Sequence, residues 1–155
     1  MRTRLTLLAL CLFGCHSAPE VRKDLLSNVE VLAQIERTPC FGACPVYAVT
    51  VLTDGTIRYT GEQHVKITEL VEVNEPAVVE KLKARFESTE FMKWDDFLRT
   101  PVSDMPTVSL TYKGHTVRHY LGDDKAPAAL TQLEDDVDTI IGTERWVKGI
   151  GGAIQ

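Results

Sequence analysis

Short stretches of the chain carry the hydrophobic pattern of β-strands, in which side chains alternate between a buried and an exposed face. Val31, Ala33 and Ile35 alternate with polar residues that include Glu30 and Glu36. Further strand-like segments lie at residues 46–53, 57–59, 65–67, 71–73 and 107–121. Because short turns join several of these segments, the pattern predicts β-hairpins and an antiparallel sheet.

Two glycine-containing turns set the predicted register of the hairpins. At Asp54-Gly55 we expect a type I turn with a glycine bulge, because a plain two-residue loop would mix apolar and polar side chains on one face. The bulge groups the apolar side chains Tyr47, Val49, Val51, Ile57 and Tyr59. At Lys113-Gly114 a two-residue loop groups Val108, Leu110 and Val117.

Two segments have helical spacing of apolar residues. The first begins at Asn74, an expected N-cap, with a buried stripe of Val78, Leu82 and Phe86. The second covers about 126–141, and Gly142 is its expected end. Its core stripe is Leu130, Leu133, Val137, Ile140 and Ile141.

Acidic residues are frequent around the second helix. Asp123-Asp124 is a plausible cap and a favourable partner of the helix dipole at its start. We expect Glu134-Asp135-Asp136 to form a solvated face of the helix.

The order of elements is strands, helix, two strands and helix. It predicts an α+β fold: an antiparallel sheet of about five to six strands, with two amphipathic helices packed on one face. We expect residues 29–149 to form this single domain. Phe91, Trp94 and Phe97 then form a core plug beneath a loop, because aromatic side chains bury large apolar areas.

The N-terminus has the organisation of an export signal. Arg2 and Arg4 precede the apolar run Leu5 to Phe13, which ends at Gly14-Cys15. This segment resembles a bacterial lipoprotein signal, which implies removal of residues 1–14 and lipidation of Cys15. Residues 15–28 are then a polar tether, and residues 150–155 a flexible tail.

The cysteines and the charge narrow the functional classes. Export removes Cys11 and lipidation occupies Cys15, which leaves Cys40 and Cys44 for one disulfide in an oxidising compartment. The net charge is −5, and the chain lacks a basic stripe, so nucleic acid is not an expected partner.

Cys40 and Cys44 also permit a redox or copper-binding role. Their spacing and the following proline are similar to those of Sco-type copper-delivery proteins, in which the cysteines lead into a helix. Here the residues from Pro45 to Val49 have the pattern of a strand, so we expect no helix dipole to lower the pKa of the Cys44 thiol. The redox or copper role is therefore the alternative.

No residue set in the sequence predicts a catalytic centre, a metal site or a cofactor. His115 and His119 lie about 13 Å apart if they share a strand, too far for one zinc ion. His119 is instead expected to be partly buried with its polar atoms satisfied. Phe41, Gly42 and Asp104 form the candidate binding loop, although backbone capping is the favoured role of Asp104 and contact with a ligand its alternative.

The cysteine segment carries a family resemblance. Pro39-Cys40-Phe41-Gly42-Ala43-Cys44-Pro45-Val46-Tyr47 resembles the motif of a bacterial family of unknown function found in secreted proteins and lipoproteins. The resemblance continues through Asp54-Gly55, Asp104, Pro106 and Gly142 to Trp146. It implies no activity and no catalytic residues.

Together these observations predict a non-enzymatic lipoprotein of the bacterial cell envelope. An N-terminal lipid anchor holds it to the membrane on the periplasmic or outer-membrane side. We expect a binding or structural role, with envelope proteins as the partners.

Overall fold

The computed structural model describes residues 28–73, 75–100 and 104–149. The predicted signal at residues 1–14, residues 15–27 of the tether and the predicted tail at residues 150–155 lie outside this part of the chain. Within it, no helix is both long enough and apolar enough to span a bilayer.

Six strands form one antiparallel sheet in the described residues. They are β1 (Val31–Arg37), β2 (Val46–Leu52), β3 (Ile57–Gln63), β4 (Glu69–Glu72), β5 (Thr107–Tyr112) and β6 (His115–Tyr120). The spatial order is β4-β3-β2-β1-β5-β6, and every neighbouring pair is antiparallel. The predicted α+β fold is confirmed, although the strand-like segment at residues 65–67 lies in the connection between β3 and β4 and not in a strand.

Both predicted hairpin registers are confirmed. Val49 pairs with Tyr59, and Val51 pairs with Ile57, as the glycine bulge requires. The Leu52 N–H donates to the Thr56 carbonyl at 2.8 Å, which closes this turn. In the second hairpin Leu110 pairs with Val117 across the two-residue turn, as expected.

Three α-helices accompany the sheet: α1 (Pro76–Glu87), α2 (Ala128–Ile141) and α3 (Glu144–Lys148). In α1 the fully buried residues are Val79, Leu82 and Phe86, whereas Val78 is partly buried. Gly142 ends α2 with a φ of +80°, as predicted, and its N–H donates to the Asp138 carbonyl. The sequence pattern did not predict α3.

The predicted N-terminal caps of α1 and α2 are wrong. Asn74 lies outside the described residues, and the N-cap position of α1 is Glu75, which makes no side-chain cap. The N-cap position of α2 is Pro127. Asp123 instead accepts hydrogen bonds from the backbone N–H groups of Arg99 and Lys125, both at 2.9 Å, because it is buried within the preceding turn.

The two longer helices pack on one face of the sheet, and this layer contains the core. The buried strand residues of that face are Ala33, Ile35, Tyr47, Val49, Val51, Ile57, Tyr59, Val108, Leu110, Tyr112 and Val117. Stacking of Phe86 on Tyr112, with ring centroids 4.3 Å apart, joins α1 to β5. The other face is mainly polar, with residues such as Gln34, Thr50 and Thr111.

The two edges of the sheet are protected differently. The segment after a short 3-10 helix (Phe91–Lys93) runs beside β6, where the Phe97 N–H donates to the Arg118 carbonyl at 2.8 Å. At the other edge β4 is only four residues long. Phe91 is fully buried, whereas Trp94 and Phe97 are partly buried against the core, in agreement with the predicted plug.

Gly61 on β3 lies at the closest backbone approach to the β3–β4 connection. A Cβ at this position would lie 2.5 Å from the Ile67 carbonyl oxygen and 2.6 Å from Val65 Cγ2. Only glycine fits between these atoms without a shift of the chain.

Gly61→Ala is therefore expected to lower the free energy of unfolding by about 2 kcal/mol, because the new methyl group overpacks this contact. Thr60→Ala, at the exposed neighbouring position, is the matched control and should change it by less than about 0.5 kcal/mol. Urea denaturation of both variants measures the difference. Equal effects would show that the connection moves aside without cost.

Candidate functional site

The disulfide loop occupies one end of the sheet. Residues 38–45 leave the end of β1 and enter the start of β2. The start of β5 lies at the same end of the sheet, because β5 pairs antiparallel with β1 and Val108 lies opposite Arg37. The end of β6 lies there too, because Tyr120 pairs with Thr107. Four strand ends therefore position the loops that carry the candidate residues.

The predicted disulfide between Cys40 and Cys44 is present. Their Cα atoms are 5.7 Å apart, within the range that a disulfide accepts. Inside the ring the Gly42 N–H donates to the Cys40 carbonyl at 2.9 Å, and Gly42 has a φ of +152°. Cys44 leads through Pro45 into strand β2 and not into a helix.

Phe41 lies at the tip of the disulfide loop and is 88 % exposed. Its N–H donates to the Asp104 carbonyl at 3.1 Å, so the structure brings together the two segments that carry the candidate binding residues. Met105, the next residue, is 44 % exposed. This end of the sheet therefore displays apolar side chains on a backbone held by covalent and hydrogen bonds.

A cavity of about 190 Å³ opens beside the disulfide loop. Its lining residues are Arg37, Thr38, Cys44, Pro45, Pro106, Val108 and Leu121. Thr38 ties two of the walls together, because its hydroxyl accepts from the Thr107 N–H at 2.8 Å and its own N–H donates to the Thr107 carbonyl at 3.0 Å. The cavity is thus mostly apolar, with Arg37 at one side.

A largely buried polar network lies next to the cavity, where α2 crosses the sheet. Asp138 Oδ2 accepts from Arg37 Nε at 2.9 Å, and Oδ1 accepts from the Tyr47 hydroxyl at 2.8 Å. The Thr143 hydroxyl donates to the same Oδ1 at 2.8 Å. One carboxylate on α2 therefore joins β1, β2 and the start of α3.

A second polar contact lies one helical turn earlier on α2. Glu134 Oε1 is 2.9 Å from His119 Nδ1, and the two side chains are 2 % and 4 % exposed. The expectation that His119 has a satisfied polar partner is confirmed. The expectation that Glu134-Asp135-Asp136 is solvated is wrong for Glu134, and Asp136 forms an ion pair with Arg85 at 2.6 Å. Asp135 is exposed.

The sequence does contain a signal that Glu134 is buried, which the expectation of a solvated acidic face overlooked. Leu130, Glu134, Val137 and Ile141 lie on one helical stripe at spacings of three and four residues. A carboxylate within an apolar stripe requires a buried partner. His119, on the inward face of β6, is the residue that supplies it.

The two histidines of β6 do not form a common site. His115 Nε2 lies 3.0 Å from the Trp94 carbonyl oxygen, whereas His119 faces Glu134. In the described part of the chain, no group of three or more His, Cys, Asp or Glu side chains is arranged to hold a metal ion.

Two buried tyrosines lie beside the network in different hydrogen-bonding environments. Burial, followed by the charge of Asp138, raises the pKa of both Tyr47 and Tyr59, and that of Tyr59 reaches about 12. The Tyr47 hydroxyl is hydrogen-bonded, whereas the Tyr59 hydroxyl has no partner among the described residues. Tyr59 instead packs against Trp146 of α3, with ring centroids 4.9 Å apart.

Asp138→Ala is expected to lower the free energy of unfolding by about 3 kcal/mol, because Arg37 is left largely buried with only the more distant and exposed Asp135, at 3.7 Å, as its counter-charge. Asp136→Ala is the matched control on the same helix. It breaks a more exposed pair with Arg85 and should cost less than about 1 kcal/mol. Urea denaturation near neutral pH compares the two, and similar losses would contradict the central role of Asp138.

The two tyrosines should respond in opposite ways to removal of the hydroxyl. Tyr59→Phe is expected to raise the free energy of unfolding by about 1 kcal/mol, because it removes a buried group without a partner. Tyr47→Phe should lower it by about 2 kcal/mol, because it removes two hydrogen bonds of the network. Chemical denaturation near neutral pH measures both changes.

Alkaline solution provides a second test for Tyr59. The folded state keeps Tyr59 protonated up to a pKa of about 12, whereas the unfolded chain releases this proton near the ordinary value of 10. Stability linked to Tyr59 is therefore complete below pH 10 and is lost as the pH rises towards 12. Tyr59→Phe should lose less stability than the unsubstituted protein over this interval, and an equal loss would contradict the assignment.

Comparison with known proteins assigns the chain to a family. Residues 31–141 match the family model DUF6438, described as a domain of unknown function. The match runs from the first residue of β1 to the last residue of α2 and includes the disulfide loop. No curated protein and no solved structure matches the chain. The chain belongs to the DUF6438 family.

Proposed function

We propose that this protein is a lipid-anchored binding domain of the bacterial cell envelope, and that its recognition surface is the disulfide end of the sheet. The observation that carries the proposal is the 88 % exposure of Phe41 at the tip of a covalently closed loop. A large aromatic side chain held in water by a rigid backbone lowers the entropic cost of binding a partner.

The direction of β1 supports this arrangement. The tether joins the domain before Val31, and the disulfide loop follows Arg37 at the other end of the same strand. Seven extended residues separate the two ends by about 20 Å. An anchor at Cys15 would therefore attach to the end of β1 opposite the disulfide loop.

The burial of the polar groups near the cavity supports a binding role instead of catalysis. His119 and Glu134 are bonded to one another beneath α2, and both are almost fully buried. Arg37 and Tyr47 are held by Asp138. These groups link helix to sheet through hydrogen bonds to one another.

The thiol-redox or copper-binding role of Cys40 and Cys44 stays a prediction from the sequence. A reactive thiol needs a neighbouring positive charge or a helix N-terminus to lower its pKa. Cys44 instead precedes a strand, and the charge of Arg37, which lines the same cavity, is paired with Asp138. This geometry gives the redox alternative no specific support.

Two measurements test the proposal in cells that produce the full-length chain. Metabolic labelling with a fatty acid should mark the protein, and cell fractionation should recover it with the membranes. Cys15→Ser should abolish both the label and the membrane association, because the Cys15 thiol is the proposed site of acylation. A photo-crosslinking amino acid placed at position 41 should form an adduct with another polypeptide.

The matched control for the crosslink is the same photoreactive residue at position 71. Val71 is 58 % exposed and lies on β4, at the edge of the sheet remote from β5 and β6. Unlabelled protein in the cytosol would refute the lipid anchor. Equal adducts from positions 41 and 71, or none from position 41, would refute the recognition surface.

A further inference from the structure

The disulfide end carries both an exposed aromatic side chain and an unfilled apolar cavity. Phe41 is the most exposed of the large hydrophobic side chains in the described residues. The cavity is lined by Thr38, Cys44 and Pro45, which flank the tip of the same loop. Phe41 does not fill this cavity, because its side chain is 88 % exposed.

The cavity has the size and chemistry that suit a phenyl ring. An apolar cavity of about 150 Å³ in another protein is known to bind benzene. The volume here is about 190 Å³, and most of its walls are contributed by proline, valine, leucine and the disulfide. The ring that would fill the cavity is therefore of the same kind as the ring displayed beside it.

A projection and a complementary cavity on one patch satisfy the condition for a twofold-symmetric contact between identical subunits. We propose that the occupant of this surface is a second copy of the chain, with Phe41 of each copy inserted into the cavity of the other. This inference rests on the proposed function, because it uses the same recognition surface and the same lipid anchor.

The area involved predicts a weak contact in dilute solution. Each phenylalanine buries about 150–250 Å² at most, so two of them supply less than the roughly 1,200 Å² of a stable interface. Exposed Met105 adds to the patch on each copy. Lipid anchors confine the copies to one surface and raise their effective concentration, so pairing is favoured at the membrane.

The anchor is compatible with this symmetry. A twofold axis along the membrane normal keeps both tethers on the same side of the dimer. The disulfide loop and the tether connection lie at opposite ends of β1, so the tethers need not cross the contact.

The test uses two full-length copies with different affinity tags, produced in the same cells and recovered from membranes in mild detergent. Phe41→Ser in both copies should reduce co-recovery at least about tenfold, because both aromatic contacts are lost. Leu121→Trp in both copies should do the same by filling the cavity. Val71→Ser, an exposed apolar position away from the patch, should leave co-recovery unchanged.

A mixed pair separates loss of contact from loss of folding. A Phe41→Ser copy keeps its cavity and a Leu121→Trp copy keeps its Phe41, so one of the two contacts remains. Co-recovery of this mixed pair should exceed that of either variant with itself. Circular dichroism of each variant verifies that the fold is intact.

The remaining outcomes distinguish this inference from the proposed function. Co-recovery unaffected by Phe41→Ser, or a mixed pair no better than the single variants, overturns the self-association. An adduct between the photoreactive residue at position 41 and a different protein also overturns it, while the recognition surface stands. Absence of any adduct from position 41 would refute both the self-association and the recognition surface.

Discussion

Asp138 is the residue on which the arrangement of α2, the sheet and the disulfide end depends. The two oxygens of its carboxylate accept hydrogen bonds from Arg37 and Tyr47 on neighbouring strands, and Oδ1 also accepts from the Thr143 hydroxyl. Its backbone carbonyl accepts the N–H of Gly142, which ends α2. The residue that closes the helix therefore also fixes the position of the helix over the sheet.

This attachment lies at the end of the sheet that carries the candidate site. Arg37 belongs both to the network and to the cavity wall, and the disulfide ring begins three residues after it, at Cys40. Because Glu134 binds His119 one turn earlier, α2 is held at two points along its length. The exposed loop thus stands on a backbone with little freedom, while its tip remains in water.

Local signals were sufficient for the hairpins and for the apolar stripe of α2, because a strand or helix that buries one face must repeat apolar residues with its own period. The bulge at Gly55 followed from the same requirement. Local signals failed at the acidic residues, since a carboxylate has the same appearance in sequence whether it faces water or a buried partner. The partner of Glu134 is 15 residues away on another element.

The sequence by itself determined the two hairpins and their registers, the two longer helices, the end of α2 and the pairing of Cys40 with Cys44. These features depend on residues close to one another in the chain. Tertiary structure alone decided that Phe41 meets Asp104, that a cavity opens beside them, and that Asp138 joins two strands. The reason is that these contacts connect residues separated by 63 to 101 positions, whose approach is set by the packing of helices on the sheet.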